Sequence, residues 1–416
     1  MKKSLLALAA LSAIAGVAQA QSSVTVYGIL DVGYIGGNSR VSDSSKGSAG
    51  GYNNGVAKGT VSQFGQGAEQ TNRLGFKGVE DLGGGTSAFF TAEFALAPQD
   101  QTLSGNTNGG LTNRQTFVGL KKAGIGQTAI GLQYTPVFNA AAATDVGQLN
   151  NMAGNVVYAS STAVTSGNAN SNNVAFTNRT ANTLSVKTDS FGGFTGSAIY
   201  TLNNKNTTET GYTTSATTGG NTNASGWGLG ADFTYKKFYA AAAYQALKQL
   251  TVSTTDTSLW TNAQANGATT AGGAAVGTTT INGYASNVQD NQFYAAATYD
   301  FGILKAYAQY VNRKATSTIS SNYYLKRQAE QIGVRSYITP TIEAWASAGL
   351  GRYTSYGANQ PTANFNGWQL GSNYYLSKRT NLYAIYGQTM TSNAAAGSTT
   401  TSAALNNYAV GVRHTF

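Results

Sequence analysis

From Thr71 to Phe94 the chain reads TNRLGFKGVEDLGGGTSAFFTAEF, in which apolar and polar positions alternate with period two on either side of a glycine triplet. Arg73 and Lys77 share one side-chain parity, and Leu74 and Phe76 share the other. After Gly83-Gly84-Gly85 the alternation resumes, with Ala88, Phe90, Ala92 and Phe94 opposing Ser87, Thr91 and Glu93. This predicts two strands with one oily and one charged face, joined where positive φ costs little. The pattern recurs along the chain. Val24, Val26, Leu30, Val32 and Tyr34 oppose Thr25, Tyr27 and Asp31; Leu304, Ala306, Ala308 and Tyr310 oppose Lys305, Tyr307, Gln309 and Arg313. Between Phe194 and Leu202, and again between Ile342 and Leu350, the same alternation appears. Near Tyr324 to Ile338, Lys326 and Arg327 break the parity.

A soluble sheet alternates in the same way, so the connectors carry the next step. Short ones, at Leu82 to Gly85, Ala123 to Gly126, Ser190 to Gly193, Lys236-Lys237, Phe301-Gly302, Thr339-Pro340 and Ser377 to Thr380, alternate with long ones rich in Ser, Thr, Asn and Gly. The long ones are expected near 37–68, 98–111, 136–178, 205–223, 249–288 and 391–403. Short turns at one end and long loops at the other, joining about sixteen segments of roughly ten residues, predict an all-β transmembrane barrel of antiparallel strands. An open sheet of that size would leave two long unpaired edges; closure removes them. The stretch from Leu405 to Phe416 puts Tyr408, Val410, Val412, His414 and Phe416 on one parity, as a closing strand with an interfacial aromatic should.

Composition sharpens this reading. The chain has 51 Gly, 25 Tyr and 16 Phe but only 4 Pro, no Cys, and 10% charged residues against roughly 25% in ordinary soluble domains. Lys2 and Lys3, the apolar Leu5–Val17 and Ala18-Gln19-Ala20 form an export-signal pattern, so residues 1–20 are expected to be removed, leaving 21–416 as one domain. Past that leader no apolar run reaches the roughly 18 residues of a spanning helix. Removing Lys2 and Lys3 lowers the formal charge from +10 to +8, and the basic residues are scattered, which argues against a nucleic-acid stripe.

VTVYGILDVG at 24–33, NRLGFKGVEDLGGG at 72–85 and the terminal YAVGVRHTF resemble general porins of β-proteobacterial outer membranes, across essentially the whole chain after the leader. The resemblance implies a homotrimer of sixteen-stranded barrels, each with an aqueous pore narrowed by an inward-folded third long loop, here roughly Pro136 to Asn178. It also implies outer-membrane lipid, lipopolysaccharide and small hydrophilic solutes or anions as partners. In anion-selective relatives arginines sit at three places that match Arg73, Arg114 and Arg179. Relatives often carry Gly-Arg before the Pro that opens the inward loop; here Gly131-Leu132-Gln133-Tyr134-Thr135-Pro136 lacks that cation.

The parity of the residues agrees with a lumen position for these cations. Arg or Lys on the lipid face at mid-bilayer costs roughly 2–4 kcal/mol, so Arg73, Lys77, Arg114 and Arg179 are expected to face water. Glu93, Asp31 and Asp145, the one acid of the inward loop, are the carboxylates expected near them, either bracing the wall or setting selectivity. Glu80-Asp81 reads as a solvated turn rather than a catalytic pair, and His414, the only histidine, as an outward interfacial residue. Without cysteine, with one histidine and with no GxxxxGK[ST] or GxSxG, no metal site, cofactor or hydrolase is expected. A passive, weakly to moderately anion-selective channel is the expected function. A substrate-specific porin using lumen tyrosines such as Tyr307, and a barrel adhesin, are the alternatives.

Overall fold

A computed structural model describes residues 23–43, 56–106, 110–159, 174–207, 220–252, 280–281, 284–285, 288–318, 324–356, 363–396 and 399–416. The expected leader at 1–20 lies outside the described residues, as does part of the inward loop, 160–173. The strands are β1 (Ser23–Asp43), β2 (Val56–Gln66), β3 (Arg73–Gly83), β4 (Thr86–Ala95), β5 (Asn113–Lys122) and β6 (Gly126–Tyr134). A helix α1 (Pro136–Thr144) precedes β7 (Arg179–Thr188), β8 (Phe194–Thr207), β9 (Gly220–Tyr235) and β10 (Phe238–Val252). A separate ribbon of β11 (Thr280–Ile281) and β12 (Tyr284–Ala285) follows. The chain ends with β13 (Val288–Asp300), β14 (Lys305–Ser317), β15 (Tyr324–Tyr337), β16 (Ile342–Tyr356), β17 (Ala363–Tyr375), β18 (Thr380–Ala396) and β19 (Thr399–Thr415).

The barrel closes. All strand pairs are antiparallel, and β19 returns to β1 with Ile29 opposite Thr415 through Asp43 opposite Thr401. Gly28 and Phe416 exchange two backbone hydrogen bonds at 3.1 and 3.2 Å, sealing the seam at its lower end. The sheet has sixteen strand positions because β2 and β3 share one: β2 pairs with the second half of β1 and β3 with the first half. Closure leaves no edge in the sheet, so the ladder satisfies backbone groups that hydrocarbon could not.

Parity then sorts the side chains as the alternation predicts. Val26, Leu229, Val334 and Val410 point outward and are exposed, while Asp31, Glu93, Gln245, Gln331 and Glu343 point inward and are buried. β15, whose parity seemed broken, is regular. Leu325, Arg327, Ala329, Gln331 and Arg335 all face in and are buried, and the apolar members Leu325 and Ala329 pack in a cluster with Val156, Val157 and Phe176 of the inward loop. Trp368 and Tyr386, ring centroids 5.2 Å apart, form part of an outward aromatic belt. His414 is outward, and its Nδ1 lies 2.9 Å from Thr380 Oγ1. Asp81 caps its own turn, accepting from Gly83 N at 2.9 Å, next to three glycines with φ of +83°, +57° and +74°.

Several expected loops are shorter than the sequence implies. β1 continues to Asp43 and β2 begins at Val56, within the connector expected at 37–68; β18 and β19 run through most of 391–403. Above the lipid belt a strand needs no apolar face, so Ser-, Thr- and Asn-rich segments pair as well as loops do, and alternation no longer marks them.

Val334 faces outward between the levels of Glu330 and Tyr337. Val334→Arg is expected to cost about 2–4 kcal/mol in reversible folding into lipid vesicles, and Val334→Leu to cost under about 1.5 kcal/mol.

Candidate functional site: the arginine wall of the lumen

Gly67–Asn72 leave the ladder between β2 and β3 and turn inward, where Asp31 catches them. Its Oδ2 accepts from Glu69 N (2.8 Å) and Gln70 N (2.6 Å), its Oδ1 accepts from Tyr383 Oη (2.6 Å), and its own backbone N–H donates to Asn72 Oδ1. Asp31 is therefore used up in holding this excursion. Arg73 follows directly, and its Nε donates to Thr71 O at 3.0 Å.

From this point the inner faces of β3, β4, β5 and β7 carry one connected group. Arg114 donates through Nε to Glu93 Oε1 at 2.8 Å and through Nη2 to Tyr134 Oη at 2.9 Å. Glu93 accepts from Tyr27 Oη on its other oxygen, at 3.1 Å. Arg179 donates through Nη1 to Arg114 O at 3.2 Å, and its guanidinium carbon sits 5.8 Å from the centre of the Tyr134 ring. Arg73 and Arg179 both lie close enough to Arg114 to feel its charge, and Tyr158 from the inward loop interacts with all three. The structure thus brings Arg73, Arg114, Arg179 and Glu93 together. Three guanidinium groups face one carboxylate, so two positive charges stay without an acidic counterpart in this group. Lys77, on the same face as Arg73 but four residues toward the turn, lies outside it and places its Nζ 5.5 Å from the Tyr27 ring centre.

The inward loop decides what else reaches the lumen. Thr135 caps α1 by accepting from Phe138 N at 3.2 Å, and Pro136 follows it at the first turn. The apolar face of α1, including Val137, Ala140 and Ala141, clusters with Ala241, Ala243 and Tyr294 on β10 and β13. Beyond the helix the loop is fastened to the wall opposite the arginine group. Arg335 gives Val146 O two hydrogen bonds (3.0 and 2.6 Å), Arg327 gives Val156 O one at 2.6 Å, and Arg313 gives Val174 O one at 3.1 Å. Gln369 Nε2 donates to Ala153 O at 2.7 Å, and Asn151 Nδ2 ties the loop to Gly67 O at 2.7 Å.

This corrects the expectation for Asp145. It makes no hydrogen bond or ion pair with the arginine group among the described residues. It is buried beneath the loop, where Oδ2 accepts from Leu149 N at 2.8 Å and Oδ1 from Asn155 Nδ2 at 2.8 Å, with Gln309 and Gln331 amides at 3.4 Å. Burial pushes its pKa up, and these donors act in the opposite sense. A carboxyl with no cation in contact needs such a cage, which draws it to the amide-rich wall of β14 and β15. Tyr307 also faces in and is mostly buried, with Lys305 Nζ 5.2 Å from its ring centre.

Tyr134 was not among the expected site residues. It stacks on Phe138 at 4.0 Å with planes 8° apart, and holds both Arg114 and Arg179. The Tyr-Thr-Pro that opens the helix was its one signal in the sequence. In the sequence Arg313 was legible only as a polar-face residue of its strand and Arg327 only as a break in parity; the path of the loop is what turns these two and Arg335 into anchors.

A family model for Gram-negative porins matches residues 7–394. The chain belongs to the Gram-negative porin family. It is 40% identical over 139 residues to an outer membrane porin protein of Bordetella pertussis, covering 32% of this chain and 34% of that one. It is 38% identical over 138 residues to outer membrane porin protein 32 of Delftia acidovorans, covering 33% of each. The match thus spans about a third of the length of these curated relatives. Among solved structures, the anion-selective porin from Comamonas acidovorans superposes with a TM-score of 0.61 at 19% identity, covering 95% of this chain and 100% of that one. The outer membrane channel DcaP of Acinetobacter baumannii superposes with a TM-score of 0.54 at 11% identity, covering 96% and 99%. These likenesses show the barrel fold, and family and fold together place the chain in the outer membrane.

Arg327 is fully enclosed between the loop and the Tyr353 and Phe365 rings, its carbon 5.7 and 4.5 Å from their centres. Arg327→Met leaves Val156 O without that donor and is expected to lower thermal stability by about 1–3 kcal/mol and to raise single-channel current noise. A planar-bilayer recording paired with thermal unfolding checks both.

Proposed function

We propose that this chain forms a water-filled channel for passive diffusion of small hydrophilic solutes and ions across the outer membrane, that it prefers anions, and that it works as a homotrimer. The observation that carries the reading is the convergence of Arg73, Arg114 and Arg179 on a wall whose one paired acid is Glu93. Guanidinium groups stay ionised at any physiological pH, and at about 0.15 M salt the Debye length is near 8 Å, comparable with a narrow pore's radius. Fixed positive charge there raises the local anion concentration. The neighbour described as anion-selective supports the sign of the preference, and a neighbour described in trimer form, OmpT of Vibrio cholerae, supports the assembly. Asp145, caged under the loop, supplies no opposing charge to the wall.

The zero-current potential of the purified protein in a planar bilayer under a KCl gradient tests this directly. A potential of anion sign that shrinks as the mean salt rises is expected; cation sign, or no conductance, would overturn the reading. One unit charge about 10 Å from a permeating ion in water is worth about 0.4 kcal/mol, with opposite sign for an anion and a cation, so Arg179→Ala should lower the anion-to-cation permeability ratio by up to about fourfold at low salt and by less as salt screens the charge. Glu93→Gln should raise it by a similar factor. Because the wall's cations are arginines and the lone histidine faces outward, the ratio should stay constant from about pH 5 to pH 8.

A further inference from the structure

Near the short turns, the inward face of β3 to β6 departs from the polar lining that a water-filled lumen calls for. Phe89 on β4 and Phe117 on β5 share the inward parity of Glu93, yet both are only half-buried; their ring centroids are 6.3 Å apart with planes at 78°. Phe89 is opposite Gly119, where a Cβ would come 2.5 Å from the Phe89 Cζ, so glycine there is what lets the ring lie against the wall. A single exposed ring needs no explanation; the groups set around this one do.

A hollow of about 650 Å³ opens over Phe89. Its two cations flank the ring. Lys77 is opposite Thr91, two residues from Phe89 along β4, and Lys121 is opposite Ser87, two residues from Phe89 in the other direction. Two residues span about 7 Å of strand, within reach of a lysine side chain. Both lysines are exposed. Among the described residues Lys77 has no carboxylate within ion-pair distance, and Lys121 has Asp189 alone, at 4.0 Å. Asp81, the acid in the lining, is engaged by its own turn through Gly83 N. Ser87, Thr91 and Gln127 bring two hydroxyls and an amide to the same hollow. Lys77 is four residues from Arg73 toward the turn; at a rise of about 3.3 Å and a tilt of about 40° that is about 10 Å lower, which separates the hollow from the arginine group.

We propose that this hollow is a binding site for a small aromatic carboxylate, its ring against Phe89 and its carboxylate on Lys77, the cation with no acid beside it. Charge and shape together select this ligand. An inorganic anion meets only the lysines, whose attraction salt screens, and a neutral ring meets only Phe89; an anion that carries a ring uses both. Ser87, Thr91 and Gln127 are placed to bond polar substituents on that ring, and Lys121 adds a second positive charge on its far side. Such a solute passes the lumen through a saturable step, which free diffusion lacks. The site does not depend on the anion preference proposed above, because it holds its ligand whatever the sign of the permeability ratio.

The test is equilibrium dialysis of radiolabelled benzoate against the full-length detergent-purified protein at low salt, which reads binding without conductance. Saturation at one site per chain is expected, with acetate and benzyl alcohol competing at least about fivefold more weakly than unlabelled benzoate. Phe89→Ser and Lys77→Gln should each weaken benzoate binding about fivefold, and more than Arg179→Ala does. Retarded migration of unheated samples in electrophoresis shows that each variant keeps its barrel; Lys77 is exposed, so Lys77→Gln tests the site even where Phe89→Ser lowers the yield of folded protein. No saturable benzoate binding, acetate or benzyl alcohol matching benzoate, undiminished binding in either folded variant, or a larger loss in Arg179→Ala than in those two would each overturn the proposal.

Discussion

Hydrocarbon offers a backbone N–H or C=O nothing to bond with, and that constraint governs this molecule. Sixteen strand positions close through β19 on β1, and the sheet separates two solvents with one side-chain alternation. Apolar residues face lipid because water lies on the other side, and at the level of the lipid belt Arg73, Arg114 and Arg179 face inward because Arg on the lipid face at mid-bilayer would cost about 2–4 kcal/mol. The lumen is thus a consequence of backbone pairing, and its chemistry follows from which polar residues fall on the inward parity.

Within that lumen the arginines divide into two populations by what the loop does. Arg313, Arg327 and Arg335 spend their donors on the loop's carbonyls and, for Arg313 and Arg335, on the buried carboxylates of Asp290 and Glu343. Each of these is a brace whose removal would leave a buried acceptor or acid unpaired. Arg73, Arg114 and Arg179 lie on the other wall, where their partners are Glu93, the Tyr134 ring and hydroxyl, and two backbone carbonyls. One residue type braces the loop on one wall and, on the other, carries the charge that the proposed selectivity rests on.

Much of this was legible in the sequence. The hairpin from Arg73 to Phe94, the outward rows of Val24 to Tyr34 and the closing strand were readable because a two-sided environment imposes period two. Where that environment ends, the signal ends with it: the polar extensions of β1, β8 and β18 read as loops because water lies on both of their faces. The burial of Leu325 and Ala329 on the inward side of β15 could not be anticipated either, since only the returning loop makes that stretch of lumen dry. Asp145 was misplaced for the same reason. A lone acid in a loop says nothing about which wall the loop leans on, and the amide cage of Gln309 and Gln331 comes from strands more than 150 residues away.

The most direct test of the central proposal, that the half-buried Arg73 and Arg179 reach the water of the lumen, exploits the absence of native cysteine. Single variants Arg73→Cys, Arg179→Cys and Val334→Cys would be exposed, in a bilayer carrying open channels, to a membrane-impermeant sulfonate thiol reagent. The account predicts rapid modification with a drop in current at the first two positions and no change in current at the lipid-facing third. Unreactive thiols at 73 and 179, or a current response at 334 and not at the other two, would contradict it.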